Sequence, residues 1–211
     1  MWARRRARPP SAAMLTRDGR GAPVHAELVE DVTLVRDLTP ARWVEESMVP
    51  WPPREAGLAA PVGSVVPACF AAYLRVHHRG GADGLAPDQA GALLEVLLRH
   101  TATGDAGWIC VWEGWGGSPP EFDAAPKVST PARAHVLLRG SLRLVETRLM
   151  RDPFGRHSFD PSLFWPDDRA WCVASDTDLA WSYVGGSADC IAALAAVFPD
   201  AVTVRPEDPV V

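Results

Sequence analysis

Asp176 and Asp178 stand two residues apart, so on extended backbone both carboxylates would point the same way, as metal coordination or acid–base catalysis requires. Against that, Asp is favoured in hairpin turns for its own backbone hydrogen bonding, and such pairs are common. Glu113 stands between Trp112 and Trp115 in WEGWGG, ahead of a glycine-bearing loop. Aromatic walls around one polar group describe many ligand pockets, although indoles packed at a core edge give the same pattern. Gly186 and Ser187 lead from a strand pattern into a helical one, where free amides could hold a phosphate or carboxylate. Neither G-x-x-x-x-G-K-S/T nor G-x-G-x-x-G is present, and a turn followed by an N-cap accounts for the pair equally well. Trp165 and Trp181, which flank the two acidic turns, complete the set of candidate ligand-binding residues.

Other chemistries find less. His77 and His78 are adjacent and would face opposite ways on a strand, while His100, His135 and His157 are isolated. No zinc-type spacing and no G-x-S-x-G elbow occurs, so neither a metal nor a cofactor is implied. Cys69, Cys110, Cys172 and Cys190 are scattered, with no C-x-x-C pair, which reads as reduced and mostly buried thiols in a cytoplasmic protein. Cys190 would fall in a first helical turn, where the dipole can lower a thiol pKa, but a small buried apolar role suits it better.

The elements that must position these residues centre on Trp165 to Ser187, WPDDRAWCVASDTDLAWSYVGGS. Pro166, Asp167 and Asp168 make a turn, and Trp171 to Ala174 is a strand apolar on both faces. A turn at Asp176 to Asp178 and a second strand over Leu179 to Val184 complete a hairpin, which Gly185 and Gly186 end. Ser187 then caps a helix carrying Ile191, Leu194 and Phe198. If the strands at 108–113 and 171–175 are parallel, their following loops open on one edge and Glu113 comes near the acidic pair. Trp112 and Trp171 would then share a layer, and Asp176 and Asp178, as exposed turn carboxylates, would be removable for within about 1 kcal/mol.

Earlier in the chain, His25 to Arg36 alternates as one strand, and Thr39 and Pro40 open a short helix. Pro50, Pro52, Pro53 and Pro61 then dictate an irregular surface linker pinned by Trp51. Val65 to His78 has nearly period two, and Pro87 opens a helix striped by Ala90, Leu93, Leu94, Leu97 and Leu98. With the strand at 108–113 this order suggests a parallel crossover. Residues 115–131 form a long loop, 136–138 a short strand, Ser141 opens a third helix, and 201–204 forms an edge strand. The expected fold is α+β: a single domain with a mixed sheet of about five or six strands and two main amphipathic helices packed on it.

The chain of 211 residues, 47% hydrophobic and 22% charged, suits one soluble domain over residues 21–211 behind a basic, disordered arm at 1–20. The net charge is −5, but Arg4, Arg5, Arg6 and Arg8 stand in the first thirteen residues without an acid, leaving −9 for the rest. An acidic body argues against nucleic acid as a partner. No apolar run approaches a membrane span, and none follows the arm as an export signal would require. Translation from Met1 or from Met14 remains open on the sequence alone.

The segments ending in YLRVHH and RHT, with WICVWEGWG, HVLLRG and the WPDDRAWCVASDTDLAWSYVGGS ending, resemble a group of actinobacterial proteins of unknown function over about residues 25–205. That resemblance implies a bacterial single domain and brings no catalytic assignment. The leading functional reading is therefore a non-enzymatic binding or interaction domain that meets a protein or small-molecule partner through its tryptophan-rich loops. The rival is an enzyme, a hydrolase or transferase, using Glu113 with Asp176 and Asp178 and an anion site at Gly186 and Ser187. Convergence of those acids in one cleft would favour the enzyme; a flat, exposed aromatic patch would favour the binding domain.

Overall fold

A computed structural model describes residues 26–79, 84–115, 117–145, 149–151 and 160–210. The arginine arm, Met14 and His157 lie outside the described residues. The architecture is α+β. In chain order its strands are β1 (Glu27–Leu28), β2 (Val32–Val35), β3 (Ala72–His77), β4 (Ala106–Trp112), β5 (Val128–Ser129), β6 (Ala134–Ser141), β7 (Met150–Arg151), β8 (Leu163–Pro166), β9 (Trp171–Ser175), β10 (Trp181–Gly186) and β11 (Val202–Val204). The short strands β1 and β7 pair with each other. The others form a nine-stranded sheet in the order β11-β3-β10-β9-β8-β4-β6-β2, with β5 paired to β6.

Every pairing among the described residues is antiparallel, so the sheet is larger than five or six strands and is not mixed. Strands β3 and β4 do run parallel, as the strand–helix–strand order suggests. The hairpin β9–β10 and strand β8 lie between them, so three later strands complete the sheet in the gap that the crossover leaves. Periodicity reports which residues share a face, not which strands become neighbours.

Both faces are covered. On one, α2 (Pro87–Leu97) and α3 (Ala188–Val197) pack against Leu74, Val76, Ile109, Val111, Phe164, Trp171, Val173 and Val184. The opposite face carries Tyr73, Cys110, Leu137, Trp165, Cys172 and Tyr183 beneath α1 (Arg42–Ser47) and the proline-rich stretch that follows. Over residues 50–61 that stretch is an irregular surface linker, with Pro53 and residues 55–59 exposed, but the chain that follows it, residues 62–66, is docked on the sheet. Val62, Gly63, Ser64 and Val66 are buried, and its amides are satisfied by distant carbonyls: Val62 donates to Asp208 and Gly63 to Pro206. Prolines exclude regular structure there but leave enough donors to dock the chain as a lid. Trp51 does fasten it, donating from Nε1 to Ser64 Oγ at 2.9 Å.

Several boundaries differ from the expected ones. The alternating stretch before Arg36 holds two short strands, β1 and β2, because a turn at Glu30 and Asp31 divides it. Pro67 delays β3 until Ala72, and the residues after Ser141 form a 3-10 turn over Leu142–Val145. Gly185 and Gly186 end β10 as expected, still paired there with Tyr73 and Ala72 of β3. A Cβ on Gly185 would overlap a Phe70 ring carbon, so the missing side chain admits an aromatic ring. Gly185→Ala should cost about 1–3 kcal/mol through that overlap. Trp171 is fully buried and donates from Nε1 to the Leu97 carbonyl at 2.9 Å, tying β9 to the end of α2. Denaturant unfolding should show Trp171→Ala costing about 3–5 kcal/mol, with Val202→Ala on edge strand β11 within about 0.5 kcal/mol.

Candidate functional site

Strands β4 and β9 lie on either side of β8 and run parallel, so the loops that follow them open on one rim of the sheet. Glu113 and the acidic pair are therefore on the same rim, but a cation answers each carboxylate. Arg133, just ahead of β6, donates from Nε to Asp176 Oδ2 at 2.6 Å and from Nη2 to Asp176 Oδ1 at 2.7 Å, a two-pronged grip. The same Nη2 reaches Asp178 Oδ2 at 2.9 Å and Thr177 Oγ1 at 3.2 Å. Glu113 stands 3.7 Å from Lys127 Nζ, which also donates to the Phe122 and Ala125 carbonyls.

The two aspartates are unlike. The Asp176 side chain is only 7% exposed and accepts the Asp178 amide at 2.9 Å, whereas Asp178 is 60% exposed. Burial alone would lower the Arg133 pKa, but the hydrogen bond and charge of Asp176, followed by Asp178, leave it raised above the ordinary arginine value. The guanidinium lies over the Trp112 ring at 4.3 Å, and Trp115 meets Trp112 edge-on at 5.8 Å. The rim thus holds a stack of indole, guanidinium and carboxylate. Next to it, His135 is buried, its Nδ1 has no hydrogen-bond partner, and burial pushes its pKa down to about 4 although a bond to the Val128 backbone acts the other way.

The remaining sequence candidates are elsewhere or occupied. Trp165 is fully buried in the second core, edge-on to Trp43 at 5.6 Å, because β8 points it inward. Trp181 donates to Tyr183 Oη at 3.0 Å and is covered by Arg75. Gly186 and Ser187 are at the opposite end of β10 from the acidic turn, and the Ser187 hydroxyl accepts the Cys190 amide at 3.2 Å as an N-cap. They cannot supply an anion site to the acids. Burial raises the Cys190 thiol to about 11 despite its place in the first turn of α3. Trp112 and Trp171 do not share a layer: Trp112 ends β4 on the Cys110 face, and Trp171 begins β9 on the helix face.

Sequence reasoning missed Arg133 and set His135 aside as isolated. Nothing in spacing selects Arg133 among the chain's many arginines; only the pairing of β6 beside β4 brings it to Trp112. The described residues include no group of three or more His, Cys, Asp or Glu placed to hold a metal ion. No helix among them is long and apolar enough to cross a membrane. Comparison of the chain with protein-family models, curated proteins and solved structures finds no match.

Two measurements follow from this geometry. Asp176 is not the exposed turn residue its neighbours suggest, and removing it leaves Arg133 largely buried with only Asp178 to answer its charge. Denaturant unfolding should show Asp176→Ala costing about 2–4 kcal/mol, and Asp178→Asn less than about 1 kcal/mol. For His135, the unfolded imidazole takes a proton near 6.5 that the folded one refuses until about 4. Its contribution is present above the unfolded value and is lost as the pH falls from 6.5 toward 4, by about 3 kcal/mol. Unfolding of the native chain and of His135→Gln at about pH 7 and about pH 4.5 should show a smaller acid loss in the variant.

Proposed function

We propose that the chain is a binding or interaction domain whose contact surface is the rim of Trp112, Trp115, Arg133, Glu113, Lys127 and Asp178, and that its carboxylates are not catalytic. The Arg133 stack carries this reading: the acids that would serve catalysis hold a guanidinium against an indole, which fixes both side chains before any partner arrives. Trp and Arg are the side chains that most often anchor interfaces, and rigid ones lose less entropy on contact. Among the described residues the large exposed apolar side chains are Leu58, Val197 and Val202, with no tryptophan. The surface is accordingly a set of half-buried, arginine-covered indoles, suited to a small or polar partner rather than to a broad apolar face. The rival hydrolase or transferase would have to release Asp176 and Asp178 from Arg133 first.

The test uses the indole N–H resonances of the isotopically labelled full chain, titrated with a panel of aromatic, carboxylate-bearing and peptide fragments. Binders should move the Trp112 and Trp115 signals, and Trp112→Ala should weaken them by about tenfold or more. Fragments that move only other indoles would overturn the reading. So would turnover of an ester or phosphate panel that disappears in Glu113→Gln or Asp178→Asn.

A further inference from the structure

At the same end of the sheet, on the helix-facing side, hydroxyl and imidazole groups form a row across three neighbouring strands. His78 Nε2 is 2.8 Å from Ser182 Oγ, and Ser182 Oγ is 2.6 Å from Ser175 Oγ. Register produces the row: Ser182 pairs with Ser175 on one side and Val76 on the other, and the His78 amide extends that pairing by donating to the Ala180 carbonyl. The backbone around His78 is fixed by buried Gln89 in the first turns of α2, which accepts the Arg79 amide and donates to the His77 carbonyl, at 2.8 and 2.9 Å. Ser182 is fully buried and His78 nearly so, while Ser175 is half-buried and lines a cavity of about 40 Å³. Leu85, Ala90, Leu93 and Phe164 form its apolar walls, with the Asp160 carboxylate at one side.

Burying three linked polar groups in an otherwise apolar layer is costly unless they are mutually bonded, and here the chain leads from a base to a hydroxyl at a cavity. We propose that Ser175 is a nucleophile, activated by His78 through Ser182, toward a short neutral acyl group held in this cavity. At roughly 15 Å³ for each water-sized group the space takes about two or three heavy atoms, an acetyl-sized unit, and its apolar walls favour a neutral one. In the step, Ser175 Oγ bonds to the acyl carbon while its proton passes to Ser182 Oγ and the Ser182 proton to His78 Nε2. The bond from the acyl carbon to the alcohol or thiol breaks, and the leaving group takes its proton from water at the open side of the cavity while His78 keeps the serine proton. The hydroxide so formed attacks the acyl–serine and releases the free acid, and the imidazolium proton returns through Ser182 to the Ser175 oxygen. His78 and Ser182 act as relay and positioning residues; Ser175 alone touches the substrate. The inference does not depend on the rim being a binding surface.

The experiment treats the full chain with a neutral fluorophosphonate probe and with p-nitrophenyl acetate. Peptide mapping should locate one covalent adduct on Ser175, absent in Ser175→Ala. His78→Gln should lower the maximal labelling rate by about 100-fold while leaving the half-saturating probe concentration unchanged, which a purely structural change would not do. Ser175→Cys keeps the chain intact should His78→Gln disturb the core, and the thiol it introduces should be alkylated by iodoacetamide faster than exposed Cys69. No adduct, an adduct on another serine, a His78→Gln rate equal to that of the native chain, or an introduced thiol in Ser175→Cys that reacts more slowly than Cys69 would each overturn the proposal.

Discussion

Strand β9 is apolar on both faces, and a strand of that kind is stable only when both sides of its sheet are covered. Trp171 and Val173 face the helices, while Cys172 and Ala174 face α1 and the docked proline-rich segment. Antiparallel sheets often leave one side to water; this one cannot, because β4, β8, β9 and β10 all place bulky apolar residues on alternate positions. On the first face the two helices are joined by Phe122, Ala125, Leu142 and Leu149 from the loops beside them. The second depends on irregular chain held by backbone bonds to the residues around Pro206 and Asp208, so the C-terminal segment belongs to the core as much as the helices do.

The second cover is incomplete, and arginines finish it. Arg139 lies over Trp108 and pairs with Asp167, Arg133 lies over Trp112 and pairs with Asp176, and Arg75 and Arg169 lie over Trp181 and Trp43. A guanidinium has two weakly hydrated faces and a donor edge, so it can shield an indole with one face while its edge meets a carboxylate or water. Lysine lacks the flat face, which gives a physical use for an arginine-rich surface. The same arrangement helps explain why the tryptophans form no flat patch: Trp43, Trp108, Trp112 and Trp181 each lie under an arginine, and Trp165 and Trp171 are buried.

What could be read in the residues was whatever depends on near neighbours. The two-faced strand at 171–174, the acidic hairpin turn, the Ala90–Leu97 stripe, the Ser187 cap and the edge strand at 202–204 all follow from local spacing, and the structure has them. Strand order was not legible, because β3 and β4 give no sign that β8, β9 and β10 will come between them. For the same reason Arg133 was invisible as the partner of Asp176, although the parallel direction of β4 and β9, posed as a condition, turned out to hold. Gly185 and Gly186 end β10 as their composition suggests, but the Phe70 ring that Gly185 makes room for is distant in the chain and was not legible.

Ser175 and Asp176 show how one dipeptide serves two surfaces. Successive side chains on extended backbone point to opposite faces, so Ser175 joins the serine–histidine row under the helices and Asp176 joins the arginine stack on the other side. Any shift of the β9–β10 turn that loosened Arg133 from Asp176 would also move Ser175 Oγ relative to Ser182, since no residue lies between them to absorb it. The rim and the cavity therefore share a single peptide unit, and the ion pair that holds Asp176 adjoins the residue whose hydroxyl lies in the serine–histidine row.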